Sequence, residues 1–119
     1  MDKILFIDDF KFPNYFIFEK QYEFDIARNK IEAIEKWKNS KYTIVAIDYD
    51  MIKQWDAGGG DEILKNIISI RVPKLVYCIS WNDKGILKLK SICDINNIPF
   101  IMADSALEII TNDREDEVN

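Results

Sequence analysis

The sequence predicts an α/β domain, doubly wound around a five-stranded parallel sheet. Three observations support this fold class. Five short apolar runs recur along the chain, segments of helical periodicity separate the later runs, and the runs are apolar throughout rather than alternating with polar residues. Strands that alternate with helices form parallel sheets through right-handed crossovers, and strands covered on both faces need continuous apolar sequence.

The predicted strands are these five apolar runs. In chain order they are ILFI (4–7), FDIA (24–27), IVAI (44–47), LVYCI (75–79) and FIMA (100–103). The segment FKFPNYFIFEKQYE (10–23) is different, because it is rich in aromatic residues, contains a proline and lacks a helical period. We therefore expect the first crossover helix to be short or irregular, and an extra strand or a bulky loop fits this segment equally well.

Four segments have the apolar spacing of helices. In NKIEAIEKWKNS, Ile31, Ile34 and Trp37 recur at every third position, and Asn29 with Glu32 predicts an N-terminal capping box. The apolar faces of the next two helices are predicted to carry Ile63, Leu64, Ile67, Ile68, and then Ile86, Leu89, Ile92 and Cys93. The last segment, SALEIIT, pairs Ser105 with Glu108 in a second predicted capping box.

Length and composition indicate one globular domain. The chain has 119 residues, of which 48% are hydrophobic and 31% charged, and such values are usual for a single domain with its own core. We assign residues 1–111 to this domain and expect the acidic segment NDREDEVN (112–119) to be a disordered tail. No apolar run is long enough to span a membrane, and MDKILFIDD does not resemble a signal peptide, so we expect a cytoplasmic protein.

Charge and cysteine content exclude several classes of function. A net charge of −5 and a pI near 4.7 argue against broad binding to duplex nucleic acid. A small phosphate-bearing ligand stays compatible, because a bound divalent cation can reverse the local sign of the charge. The chain has no histidine, and Cys78 and Cys93 show no CxxC spacing. Zinc sites and Cys/His nucleophiles are therefore disfavoured, and buried thiols are predicted.

Polar side chains follow most of the predicted strands. In sheets of this type, ligands bind outside the carboxyl ends of the strands. The residues that follow the first, third, fourth and fifth strands are Asp8 and Asp9, Asp48 and Asp50, Ser80 and Asn82, and Asp104 and Ser105. The geometry of a parallel sheet brings these residues to one edge, where a site is predicted.

The aspartates at this edge predict a metal site. Four carboxylates in a small region repel one another unless a cation neutralises them or one of them takes a proton. Ligation by oxygen alone suits Mg²⁺ or Mn²⁺, so the predicted ligands are Asp8, Asp9, Asp48 and Asp50. The alternative is that these aspartates only cap helices and end strands, since Asp favours both positions.

The same residues resemble the receiver domains of two-component response regulators over nearly the whole chain. Asp8 and Asp9 resemble the acid pair that binds metal in that family, Asp48 the aspartate that accepts phosphate, and Ser80 the hydroxyl residue that contacts the phosphoryl group. The resemblance implies the receiver-like, flavodoxin-like form of the α/β fold. Two features depart from the family. No lysine occurs in IPFIMADSA, where receivers end their fifth strand in lysine, and no proline follows Met51.

A second family, the cyclic-phosphate-processing receiver-like domains, is similar in three motifs. These are DDFKFP (8–13), IDYDM (47–51) and SWNDKG (80–85). Lys11 stands where that family has arginine, and Tyr49 and Ile79 stand where it often has histidine. The resemblance implies that the four aspartates hold a divalent ion, that Ser80 and Asn82 bind phosphate oxygens, and that Lys11 adds positive charge.

These observations lead to three hypotheses for function. The first is a receiver-like protein that binds Mg²⁺ and hydrolyses or captures a cyclic or terminal phosphate of a nucleotide or short oligonucleotide. As an enzyme it would be a metal-dependent phosphodiesterase-type hydrolase, with Asp48, Ser80 and Asn82 in catalytic roles. The alternatives are a receiver that accepts phosphate on Asp48, and an inert pseudo-receiver that serves as an interaction module. The substrate and the oligomeric state stay open.

Overall fold

The computed structural model describes residues 2–8, 23–48, 59–79 and 83–102. In these ranges the chain forms β1 (Lys3–Ile7), β2 (Glu23–Ala27), α1 (Lys30–Asn39), β3 (Ile44–Ile47), α2 (Gly60–Ile70), β4 (Leu75–Cys78), α3 (Asp83–Ile95) and β5 (Phe100–Met102). All five predicted strands are confirmed. The first crossover segment, the helix expected from Ser105 and the acidic tail lie outside the described residues and stay predictions.

The five strands form one parallel sheet in the order β2-β1-β3-β4-β5. This is the predicted receiver-like α/β fold. β1 and β3 lie side by side at the centre, so the residues that follow these two strands meet at the middle of the carboxyl edge. No helix in the described part of the chain is long and apolar enough to cross a membrane.

Buried apolar side chains form two clusters, one on each face of the sheet. The first contains Leu5, Ile7, Val45 and Ile47 together with residues from all three helices. The second contains Ile4, Phe6, Ile44, Ala46 and Tyr77, so its buried members among the described residues all come from strands. Neighbouring residues of one strand enter different clusters because successive side chains point to opposite faces. Burial on both faces explains why the strand runs are apolar throughout.

Helix α1 begins with the predicted side-chain cap. Asn29 Oδ1 accepts a hydrogen bond from Glu32 N at 2.8 Å. The reciprocal half of the capping box differs, since Glu32 Oε2 accepts from Arg28 N at 3.4 Å rather than from Asn29 N. The predicted apolar face was wrong at Ile31, which is 75% exposed, while Ala33 and Trp37 are fully buried. The buried stripe of α1 is therefore centred on positions 33 and 37.

Helices α2 and α3 bury the faces that the sequence predicts. Ile63, Leu64 and Ile67 of α2 and Leu89 and Cys93 of α3 belong to the first cluster. Both cysteines are buried thiols, as predicted, and no disulfide joins them. Burial is the main cause that raises the pKa of the Cys93 thiol to about 12. Since the thiolate is the reactive form, Cys93 is a core residue and not a nucleophile.

Trp37 is the centre of a stack of rings and cations. Its ring lies parallel to that of Tyr42, with 6.1 Å between the centroids. The guanidinium of Arg71 lies 4.4 Å from the centroid of Trp37, and Lys3 Nζ lies 4.9 Å from that of Tyr42. Trp37 Nε1 donates to Arg71 O at 3.1 Å. These contacts join α1 to Arg71, which follows α2, and to Tyr42, which precedes β3.

Tyr42 also joins this stack to β2, because its hydroxyl donates a hydrogen bond to the carboxylate of Asp25. Lys3 Nζ lies 3.2 Å from the same carboxylate. The bond from Tyr42 is the main cause that lowers the pKa of Asp25. Burial, followed by the effect of Asp25, raises the pKa of Tyr42 to about 12.

This shift predicts a loss of stability at high pH. An unfolded tyrosine loses its proton near pH 10.0, whereas Tyr42 keeps it to about 12. The folded state therefore holds an extra proton in this range, so the free energy of unfolding falls as the pH rises, by about 2–3 kcal/mol. We expect Tyr42→Phe to flatten this decline, as measured by urea unfolding at several pH values from about 9 to 12. An equally steep decline in both proteins would contradict this assignment.

Candidate functional site

The candidate site lies at the carboxyl edge of the sheet, one residue beyond the last paired positions. Ile7 pairs with Ala27 of β2 and with Ile47 of β3, and Ile47 pairs with Cys78 of β4. The ladder continues through hydrogen bonds of 3.0 Å from Asp8 N to Ala27 O, from Asp48 N to Ile7 O and from Ile79 N to Ile47 O. The next row of residues across the sheet is therefore Arg28, Asp8, Asp48 and Ile79.

The four residues of this row belong to the same face of the sheet. Asp8 follows Ile4 and Phe6 at intervals of two, and Asp48 follows Ile44 and Ala46 in the same way. These apolar residues are the members of the second cluster, and side chains two residues apart in a strand share a face. The same period adds Arg28 and Ile79 to that face. The row thus carries one cation, two carboxylates and one apolar side chain, in that order.

Asp8 and Asp48 are neighbours that differ in exposure. Asp8 is fully buried, and it is the one charged residue in the described ranges with that property. Asp48 is partly exposed. Adjacent strands are about 4.8 Å apart, and two like charges about 5 Å apart repel by about 3 kcal/mol at an effective dielectric constant of about 20. A nearby cation would stabilise this pair, and of the two residues Asp48 is the one that is accessible to solvent.

The donor set of this pair fits a hard divalent cation. Carboxylate oxygens are the ligands that Mg²⁺ and Mn²⁺ prefer, and Mg²⁺ needs only one or two protein carboxylates because it retains several waters. No group of three or more metal-binding side chains occurs among the residues whose structure is described. Asp8 and Asp48 are the two predicted ligands within these ranges, and the structure brings them together at adjacent positions.

The other predicted site residues lie outside the described residues. They are Asp9, Lys11, Asp50, Ser80 and Asn82. Helix α3 begins at Asp83, directly after the segment that contains Ser80 and Asn82. The roles assigned to these five residues in binding metal or phosphate stay predictions.

Arg28 is a residue of this edge that sequence reasoning missed. It follows β2 directly, and its Nη1 donates to Asp8 O at 3.3 Å. Its side chain is partly buried. The predicted site contains residues that follow the first, third, fourth and fifth strands, but none that follows the second. The signal was present, because Arg28 stands immediately after the apolar run FDIA.

Comparisons with known sequences identify no relative. No model of a known protein family matches the chain. No curated protein matches it either.

Comparisons with solved structures find many chains of the same fold. A CheY-like receiver domain protein from Methanospirillum hungatei has a TM-score of 0.63 and 21% identity, over 100% of this chain and 99% of that one. The response regulator TrrA from Thermotoga maritima, in complex with Mg²⁺ and BeF, has a TM-score of 0.65 and 19% identity, over 92% and 99%. A response regulator from Burkholderia pseudomallei with a phosphorylated aspartic acid, a calcium ion and citrate has a TM-score of 0.65 and 12% identity, over 98% and 73%.

These likenesses establish the fold of the chain as that of CheY-like receiver domains. The identities of 12–21% are too low to carry function with them. The matches span nearly the full length of the two receiver structures from Methanospirillum and Thermotoga. None of the comparisons supports the resemblance to cyclic-phosphate-processing domains.

Proposed function

We propose that this chain is a receiver-type phospho-acceptor, in which Asp48 takes a phosphoryl group in the presence of Mg²⁺. The observation that carries the proposal is the pair formed by the buried Asp8 and the partly exposed Asp48 at the centre of the carboxyl edge. In sheets of this topology ligands bind at that edge. The fold of response-regulator receivers, one of which contains a phosphorylated aspartic acid, supports the same reading.

The different exposure of Asp8 and Asp48 supports different roles for the two residues. A nucleophile must reach the phosphorus atom of its donor, and Asp48 is the carboxylate of the pair that is accessible. An Asp48 carboxylate oxygen would attack the phosphorus of an acyl phosphate, forming a new O–P bond. The P–O bond to the donor would break, and the donor carboxylate would leave with the electron pair. Asp8, buried beside it, would be the second carboxylate ligand of the metal.

Mg²⁺ would supply the positive charge that this edge requires when a phosphate approaches. Asp8 and Asp48 would hold it, together with Asp9, the third ligand that the sequence predicts. A bound divalent ion neutralises charge on the transferred phosphoryl oxygens. The Mg²⁺ in the Thermotoga structure and the calcium ion in the Burkholderia structure support this assignment by analogy.

A second candidate function, the hydrolysis or capture of a cyclic or terminal phosphate, is favoured by one sequence observation. The chain carries a second aspartate, Asp50, after β3, and it lacks the lysine with which receivers end their fifth strand. The same lack of lysine is compatible with a third candidate, a pseudo-receiver without phosphate chemistry. We prefer the phospho-acceptor because the fold and the Asp8–Asp48 pair both support it.

One experiment separates the three candidates. The purified chain is incubated with acetyl phosphate, with Mg²⁺ or with EDTA, and its intact mass is measured over time. The phospho-acceptor predicts a labile adduct of one phosphoryl group that forms with Mg²⁺ and not with EDTA. In parallel, 2′,3′-cyclic nucleotides are incubated with the protein and analysed for linear products.

The outcomes differ for each candidate. Linear product without an adduct would replace the phospho-acceptor with the hydrolase. No adduct, no product and a melting temperature that Mg²⁺ does not change would leave the interaction module, since a ligand that binds the folded state must stabilise it.

A further inference from the structure

Arg28 is the positive side chain of the row that contains Asp8 and Asp48. It occupies the position next to Asp8 because Ile7 pairs with Ala27, and the period of two places it on the same face. Two strand spacings, about 9.6 Å of main chain, separate Arg28 from Asp48. At this distance the charge of a partly buried side chain still acts on an ion that is bound beside Asp8 and Asp48.

The contacts of Arg28 hold its guanidinium toward β1. Nη1 donates to Asp8 O at 3.3 Å, so the charge is kept at the carboxyl edge. Its backbone N donates to Glu32 Oε2 at 3.4 Å. The other carboxylate oxygen of Glu32 lies 3.3 Å from Lys36 Nζ.

The charge balance of the edge needs a cation of this kind. A phosphoryl group on Asp48 would bring further negative charge beside Asp8. In receivers, the lysine that ends the fifth strand would balance this charge. In this chain no lysine stands there, because the residues after β5 are Ala103, Asp104 and Ser105. Arg28 lies at the same carboxyl edge, at the end of β2, which is the outer strand of the sheet opposite to β5.

We infer that Arg28 supplies the positive charge that stabilises a phosphoryl group at the Asp8–Asp48 edge, from the end of β2 instead of the end of β5. The inference rests on the proposed phospho-acceptor function. A cation at this position attracts the anionic phosphoryl group and repels Mg²⁺, so its removal should change the binding of the two ions in opposite directions.

The test compares Arg28→Met, which removes the charge and keeps an unbranched side chain, with Arg28→Lys, which keeps the charge. Lys30→Met is the matched control. It changes the net charge by the same amount, and Lys30 is the first residue of α1 and lies outside the row. Adduct formation from acetyl phosphate is followed by intact mass at low and at high ionic strength. The Mg²⁺ dissociation constant of each protein is measured by calorimetry.

We expect Arg28→Met to form the adduct about tenfold more slowly than the wild type at low salt, with a lower Mg²⁺ dissociation constant. Arg28→Lys should stay within about threefold of the wild type, and Lys30→Met should match it. The difference between Arg28→Met and the wild type should shrink at high salt, where charges are screened.

Two results would overturn the inference while leaving the phospho-acceptor intact. One is an adduct that forms in Arg28→Met at the wild-type rate. The other is a loss of both adduct formation and Mg²⁺ affinity, because that would show that Arg28 only holds the end of β1 through its bond to Asp8 O. Failure of the phospho-acceptor itself is recognised separately, since the wild type would then form no adduct, and the inference would fall with it.

Discussion

Replacement of Asp48 by asparagine is expected to abolish the labile phosphate adduct and most of the stabilisation by Mg²⁺. The amide has no anionic oxygen to attack phosphorus, and it removes one of the two described carboxylates of the edge. For the wild type, Mg²⁺ at 100 times its dissociation constant would stabilise the fold by about 2.7 kcal/mol. We expect Asp48→Asn to lose most of this gain, as measured by chemical unfolding with Mg²⁺ and with EDTA.

The same substitution should not damage the fold. Without Mg²⁺, the variant loses the repulsion between Asp8 and Asp48, so we expect its free energy of unfolding to rise by about 1 kcal/mol. Asp94→Asn, which changes an exposed aspartate on α3 paired with Lys90, is the matched control and should keep both the adduct and the response to Mg²⁺. An adduct that persists in Asp48→Asn would assign the phosphate to another residue.

Replacement of Trp37 by alanine is expected to lower the free energy of unfolding by about 3–5 kcal/mol, the usual cost of truncating a buried large aromatic residue. Trp37 is fully buried, stacks on Tyr42 and lies against the guanidinium of Arg71. Its removal would also leave Arg71 O without the bond that Trp37 Nε1 donates. Urea unfolding monitored by circular dichroism measures the change.

Two further variants separate the contributions at this position. Trp37→Phe keeps an aromatic ring and removes the indole N–H, so we expect an intermediate loss. Ile31→Ala is the control on the same helix, and because Ile31 is 75% exposed its effect should be within about 0.5 kcal/mol. Equal losses for Ile31→Ala and Trp37→Ala would show that the face of α1 has been assigned wrongly.

Strand positions could be predicted from the sequence because the strands are buried on both faces. The run IVAI (44–47) coincides with β3, and its residues divide between the two apolar clusters. A continuous apolar run of this length, bounded by polar residues, leaves few other structures open. The capping residue of α1 was predictable for a similar reason, because Asn29 bonds to the backbone only three residues away.

The face of α1 could not be predicted with the same success. Ile31, Ile34 and Trp37 follow a helical period, and so do Ala33 and Trp37, so the sequence offered two overlapping stripes. Packing of α1 against β1, β2 and α2 selects the second stripe. The large exposed side chain of Ile31 and the small buried side chain of Ala33 show that the space available beside a neighbouring element decides which stripe is buried.

The sequence by itself determined the class of fold, the strands and the candidate acidic edge, because apolar runs and the residues that end them are local features of the chain. Only the tertiary structure decided that Asp8 and Asp48 are neighbours of different exposure and that Arg28 stands beside them. These relations depend on strand order and register, which join residues 20 and 40 positions apart in the chain. No local pattern specifies such pairings, since they arise when the strands assemble and bury both faces of the sheet.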